Sequence, residues 1–186
     1  VAIGKETIVK GGDAIGLGHK VENYGENSIA IGSYAKVNTK DAASGTNSIA
    51  IGRAAEVTNK EAIALGSDAK VKSDKSMAMG YKAEVEANAT HSVVLGESAK
   101  IKANATYGTA MGQGATINTG ATYGTAIGQG AQIDPNATYA TAVGQGARVQ
   151  SSQGAAFGKG ATAAAEKSLA LGSGASATAT GSVALG

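Results

Sequence analysis

Cysteine is absent from the 186 residues, so neither disulfides nor thiol chemistry serves this chain. Tryptophan is absent too, phenylalanine occurs once, and aromatic residues make up only 4%. Proline occurs once, at Pro135. No apolar run is long enough to span a membrane, and no signal-peptide pattern opens the chain. Neither charge sign dominates: a net charge of +2 calls for neither nucleic acid nor an acidic surface as partner. A compact globule would lack the large side chains to fill its core. Thin coils filled by Ala, Val and Ile can be made of this set, and 28 glycines suit frequent turns.

What is present is a repeat. Its clearest copy is Asn27-Ser28-Ile29-Ala30-Ile31-Gly32, in which a glycine follows a large apolar residue, itself preceded by a small one. The pattern places anchor glycines at Gly4, Gly16, Gly32, Gly52, Gly66, Gly80, Gly96, Gly112, Gly128, Gly144, Gly158, Gly172 and Gly186. Most steps are 14 or 16 residues, with a first step of 12 and one of 20. Self-similarity at a nearly fixed period points to a solenoid, because one unit cannot bury its apolar face alone. The whole chain, 1–186, then reads as one repeat domain. It opens and closes mid-motif, at Val1-Ala2-Ile3-Gly4 and Ser182-Val183-Ala184-Leu185-Gly186, as a piece of something longer would.

Counted from each glycine as zero, the columns alternate. Position −1 is always large and apolar, from Ile3 to Leu185, and −3 is mostly so, with Thr109, Thr125 and Thr141 in three units. Positions −2 and −4 stay small: Ala at −2 except Val94, and Ser, Ala or Gly at −4. Position +3 is Ala in ten units, +5 is mostly Val or Ile, and +4 and +6 are mostly polar. A period of two is strand geometry, so each unit predicts two short strands joined by the glycine turn. Stacked in parallel at about 4.8 Å per coil, thirteen coils would span about 60 Å. The fold class expected is all-β, a parallel β-roll. The second strand has one apolar and one polar face. The first carries apolar or small residues on both, which one thin roll cannot bury. Self-association through the first strands is therefore expected. The residues assigned to core or trimer formation are Ile29, Ala30, Ile31, Ile49, Ala50, Ile51, Met77, Ala78, Met79, Leu169, Ala170 and Leu171. Which face meets the partner is left open by the pattern.

The units Asn27–Gly32, Asn47-Ser48-Ile49-Ala50-Ile51-Gly52 and Ser182–Gly186 resemble the head repeat of trimeric autotransporter adhesins, the YadA-like head. The resemblance covers the whole chain. It implies a left-handed parallel β-roll and a homotrimer. It also implies display on a Gram-negative outer surface, through a stalk and an outer-membrane anchor that this stretch does not include. Members bind host matrix proteins such as collagen, fibronectin or laminin, or host cell receptors, so adhesion is the function implied. The 16-residue steps and the step of 20 depart from the 14 residues usual for such repeats.

Several features bear on ligands. The longest step carries a polar insertion, residues 38–46, with Lys40 and Asp41 as candidate contacts; a tolerated surface loop is the other reading. Tyr107, Tyr123 and Tyr139 share position −5 in successive units and should stack, either as a ligand-contacting row or as cover for a widened coil. Lys36, Glu56, Lys70, Glu84 and Lys100 alternate in sign at +4, and Lys72, Glu86 and Lys102 at +6, which predicts charge ladders that set register. Asp13 and His19 fall at −3 and +3 of their unit, where an inward-facing pair would satisfy both. No nucleophile–base relay, metal spacing or cofactor motif is apparent, and the Gly-x-Gly segments read as repeat turns, so no enzyme is expected. An ice- or crystal-surface-binding solenoid is the alternative function, suggested by the Thr column. A left-handed β-helix acyltransferase would need a six-residue period that is absent.

Overall fold

The computed structural model describes residues 1–37 and 46–186. They form two parallel sheets and no helix. The first sheet holds thirteen strands, from β1 (Ala2–Ile3) to β25 (Val183–Leu185), each ending just before a turn glycine. The second holds twelve two-residue strands, from β2 (Ile8–Val9) to β24 (Ser176–Ala177). Consecutive strands of the chain alternate between the sheets, so each coil contributes one rung to both. This is the parallel roll expected from the period-two columns.

The register is uniform. Ile63, Ala64 and Leu65 pair with Met77, Ala78 and Met79, and those pair with Val93, Val94 and Leu95. The glycine turn explains why the register cannot drift. The anchor glycines take φ near +130°, and an added Cβ at Gly66 would lie 2.5 Å from the Gly80 carbonyl oxygen. Positive φ and a neighbouring backbone both exclude a side chain there.

One anchor lies elsewhere than the motif suggests. In the second coil β3 (Ile15–Leu17) pairs Gly16 with Ala2 and Ala30, and Leu17 with Ile3 and Ile31. The turn glycine is therefore Gly18, at φ 145°, and Gly16 occupies the small inward column. The column demands small size, and glycine meets that as alanine does. A Cβ on Gly16 would come 2.5 Å from Val9 Cγ2, so this coil has room for nothing larger. The steps become 14 and 14 in place of 12 and 16.

The interior is one side chain thick on each side. Ala30, Ala50, Ala78 and Ala170 from the first sheet meet Val37, Val57, Val71, Val85, Ile101, Ile117, Ile133 and Val149 from the second. Those valines and isoleucines are fully buried, worth about 1.5–3 kcal/mol each. Buried Ala at +3, such as Ala69 and Ala83, fills the corner after the turn. Where Asn23 replaces the +5 aliphatic residue, its amide donates to the Ile15 and Ser28 carbonyls, which offsets its burial. Thus the small residues of the first strand face in, and the large ones face out.

Candidate functional site

Three outer surfaces follow from this packing. On the first sheet, Ile29, Ile31, Ile49, Met77, Met79 and Leu169 are half-buried in the single chain, while Ile51 and Leu171 are 38% and 48% exposed. The residues assigned to core or trimer formation therefore divide: the alanines make the core and the larger residues make an outward apolar face. Thirteen strands carry that face from end to end. Thr109, Thr125 and Thr141 interrupt it in register, bounded by Val93 on one side and Ala155 on the other.

On the second sheet the expected charge ladder is in place. Glu22, Lys36, Glu56, Lys70, Glu84 and Lys100 follow one another in register. Lys36 reaches Glu22 at 3.6 Å, and Lys100 reaches Glu84 at 3.3 Å. The column at +6 behaves differently from the expectation. Lys72 crosses to Glu84 at 2.9 Å, and Glu86 accepts the Ala103 N–H at 3.1 Å. Burial would raise the Glu84 carboxyl, but its hydrogen bonds and attraction to Lys72 and Lys100 outweigh this and hold it below the usual range. The hydrogen bond from Lys72 to Glu84 in turn raises the Lys72 ammonium.

The third surface is formed by the turns beside the first sheet. Tyr107, Tyr123 and Tyr139 do stack, and His91 extends the ladder to four rings. Centroids are 4.9 Å apart for the first two pairs and 4.8 Å for the last, with interplanar angles of 12°, 1° and 4°. All four residues lie in the left-handed region, with φ between 54° and 58°. That conformation costs a non-glycine residue about 1–2 kcal/mol, and stacking returns about 0.5–1.5 kcal/mol per pair. The rings thus offset the strain of their own turn. His91 shares the −5 column in the sequence, but its chemistry hides it among tyrosines.

A second ladder was missed by the sequence reading. Gln145 donates to Gln129 and Gln129 to Gln113, both at 2.9 Å, and Gln113 donates to Glu97 at 3.4 Å. The signal was present as Gly-Gln-Gly repeated in register. Its second glycine, as in Gly114 at φ 67°, supplies a left-handed turn residue, which accounts for the motif as turn chemistry. The aromatic ladder lies in the four 16-residue coils, and the amide ladder runs from Glu97 in the second of them to Gln145 just past the last. Each such coil adds one more left-handed residue, Asn88, Asn104, Gly120 or Asn136, and tucks in a buried alanine after it.

Asp13 and His19 are not an inward pair. With Gly18 as anchor they fall on turns at the two ends of β3; Asp13 is exposed, and His19 rests edge-on against Tyr34 at 5.5 Å. Lys40 and Asp41 lie outside the described residues. Among the described residues no cluster of His, Cys, Asp and Glu has metal-holding geometry.

A search of curated proteins finds no match to the chain. A solved structure, the collagen-binding domain of the Yersinia adhesin YadA, is similar over 89% of this chain and 69% of that one. The identity is 20% and the TM-score 0.50, which speaks to the fold. The YadA head domain repeat (2 copies) matches residues 24–42, 43–69, 58–83, 150–175 and 163–186, together just over half of the chain. Most of the unmatched middle is the 16-residue coils. By repeat and by roll, the chain belongs to the YadA head family, the β-roll heads of trimeric autotransporter adhesins.

Proposed function

We propose that this chain is the head of a trimeric surface adhesin that attaches a bacterium to host extracellular matrix. The observation that carries the reading is the apolar outer face of the first sheet. It runs the full length of the roll with Ile, Leu, Met and Val at nearly every coil, far beyond the scattered apolar exposure of a monomer. Two further copies packed around a common axis would bury all three such faces, in keeping with the trimeric family. Heterologous contacts between neighbouring copies close into a ring about such an axis. The charged second sheet and the turn ladders then remain outside to meet ligands.

The family supports a ligand class. The similar solved structure is a collagen-binding domain, which favours collagen among the matrix proteins; fibronectin, laminin or a cell receptor are the others. The Tyr107, Tyr123 and Tyr139 ladder and the insertion carrying Lys40 and Asp41 are the candidate contacts. Repetition on three chains would turn weak contacts into useful avidity. Anchoring in the bacterial outer membrane would be supplied by segments outside this one. An ice- or crystal-binding face is not favoured, because three threonines in register make no extended flat array.

A solid-phase panel of collagens, fibronectin, laminin and epithelial surfaces against the purified head tests the reading. Saturable binding to at least one matrix protein is expected; binding to none contradicts it. Replacing Tyr107, Tyr123 and Tyr139 together by Ala should weaken that binding while the oligomer persists. Unchanged binding would remove the tyrosines from the contact.

A further inference from the structure

The tripeptide Asn-Ala-Thr occurs three times, at 88–90, 104–106 and 136–138, and no other Asn-x-Ser or Asn-x-Thr occurs in the sequence. Each copy begins eight residues before an anchor glycine, on the turn that widens a 16-residue coil. The remaining wide coil has Gly120-Ala121-Thr122 in the same column. All three copies lie between residues 84 and 149, outside the stretches that match the family repeat.

The turn accounts for part of this pattern. Asn88, Asn104 and Asn136 take φ of 59°, 62° and 61°, a conformation in which asparagine is enriched. The alanine after each is buried. The turn does not call for the rest. Gly120 meets the same need at φ 72°, and Glu6, Lys20, Tyr34 and Ala54 hold left-handed turns elsewhere. Nor does the fold use the polar atoms. The three asparagines are exposed, and their side-chain amides make no hydrogen bond among the described residues. The hydroxyls of Thr90 and Thr106 make none there either, and that of Thr138 donates only to Ser152, at 3.2 Å. A free amide with a hydroxyl residue two places on is what an N-glycosyl acceptor offers.

We propose that Asn88, Asn104 and Asn136 are sites of N-linked glycosylation, taking a hexose or a short glycan from a diphosphate-activated sugar. The asparagine Nδ2 attacks the anomeric carbon of the sugar. A C–N bond forms there as the bond to the diphosphate oxygen breaks. The diphosphate leaves with the electron pair, and one amide proton passes to a base of the transferase. Nothing is oxidised or reduced. The fold also sets the order of events. In the finished roll Ala105 is fully buried, the Asn104 N–H is held by the Ala87 carbonyl at 3.1 Å, and the Tyr107 N–H by the Thr90 carbonyl at 2.9 Å. That backbone cannot be drawn into a transferase cleft, so the sugar is added before the coils stack. Once they stack, the exposed asparagines leave it outside, along the turns that precede the aromatic ladder. The site goes beyond the matrix-binding reading and does not rest on it.

Peptide mapping by electron-transfer mass spectrometry, on the protein purified from the cells that make it, tests the assignment. Sugar is expected on Asn88, Asn104 and Asn136. Thr106→Ala should remove it from Asn104 alone, and Thr106→Ser should retain it. Gly120→Asn completes a further Asn-Ala-Thr and should gain a fourth glycan. A Cβ at that position meets only the Asn136 side chain, which can swing aside. Circular dichroism confirms that each variant is folded. A single sugar unit marks a nucleotide-linked donor and a preassembled oligosaccharide a lipid-linked one, and either supports the sites. Bare asparagine at all three positions overturns the proposal. So does undiminished sugar on Asn104 in Thr106→Ala, or a folded Gly120→Asn with none added. An unglycosylated head that binds matrix protein keeps the adhesin reading and loses this one; a glycosylated head that binds none does the reverse.

Discussion

The narrow coils before Gly80 and the wide coils from Gly80 to Gly144 share one backbone plan and hold it in register by different chemistry. In the narrow coils alternating Glu and Lys face each other across the second sheet. The ladder runs on into the first two wide coils at Glu84 and Lys100; in the later two the second sheet turns to Thr and Gln, at Thr116 and Gln132, and register is marked by stacked rings and paired amides at the turns. Salt and acid should therefore act mainly where the alternating ladder runs, up to Lys100, and beyond it on the Arg148–Asp134 pair. Nearly all the variation lies outside the core, because the inward columns admit only small or β-branched residues in either region. A solenoid can change its surface one ladder at a time while each coil still contacts only its neighbours.

The comparison predicts where the two regions agree and where they part. The largest effect should be shared. Gly66→Ala in the narrow coils and Gly112→Ala in the wide ones both place a Cβ against the next coil's carbonyl at positive φ. Each should destabilise by about 3 kcal/mol or more, and hydrogen exchange should show the flanking coils opening first. If one region tolerates the change, the common backbone plan fails.

A smaller effect belongs to the wide coils alone. Tyr123→Ala removes two stacking contacts but keeps the left-handed strain, and should destabilise by about 1–3 kcal/mol. Tyr123→Gly relieves the strain and should recover about 1 kcal/mol of that loss in chemical denaturation. Equal losses for Ala and Gly would show that strain plays no part.

In the narrow coils, Ser73 has a buried hydroxyl without a partner, the one such side-chain atom among the described residues. The wide coils place an alanine at the matching position, as at Ala105. Ser73→Ala should therefore stabilise by about 1 kcal/mol, read from the denaturation midpoint. A loss of stability would reveal a partner for that hydroxyl.

The smallest effect tests the charge ladder. Glu84→Gln should cost about 0.2–1 kcal/mol at neutral pH, less in high salt, because all partners are partly solvated. The Glu84 carboxyl lies below its ordinary value, so its contribution is present above the unfolded value and is lost as pH falls through the folded one. Lys72 is raised, so its share is present below its unfolded value and is lost as pH rises through the folded one. Wild type and Glu84→Gln should thus converge in stability as the pH falls below the ordinary glutamate range. Divergence on acidification would contradict the assignment.

Much of this was legible from columns alone. Two strands per coil, the parallel stacking, the charge alternation at +4 and the tyrosine ladder all follow from period two and equal spacing. Three things were not. Gly16 and Gly18 cannot be told apart by motif, since a small inward column and a turn both accept glycine. Period two separates two faces without saying which is inside, and here packing depth decides it: opposite Val and Ile the thin roll takes small residues, Ala in nearly every coil, Gly16 in one and Val94 as the largest. Side-chain reach is also invisible, so Lys72 crossing to Glu84 and the pairing of Gln129 with Gln113 required coordinates. Lys40 and Asp41 lie outside the described residues, so their expected role rests on the sequence.

The outward apolar face of the first sheet should be covered by other copies of the chain. Molar mass in solution, measured by light scattering on the eluting peak, tests it most directly. Three times the 18.1 kDa chain mass is the predicted result, with Leu65→Glu and Leu171→Glu reducing it toward one. A stable, folded wild-type species at the mass of a single chain would contradict the account.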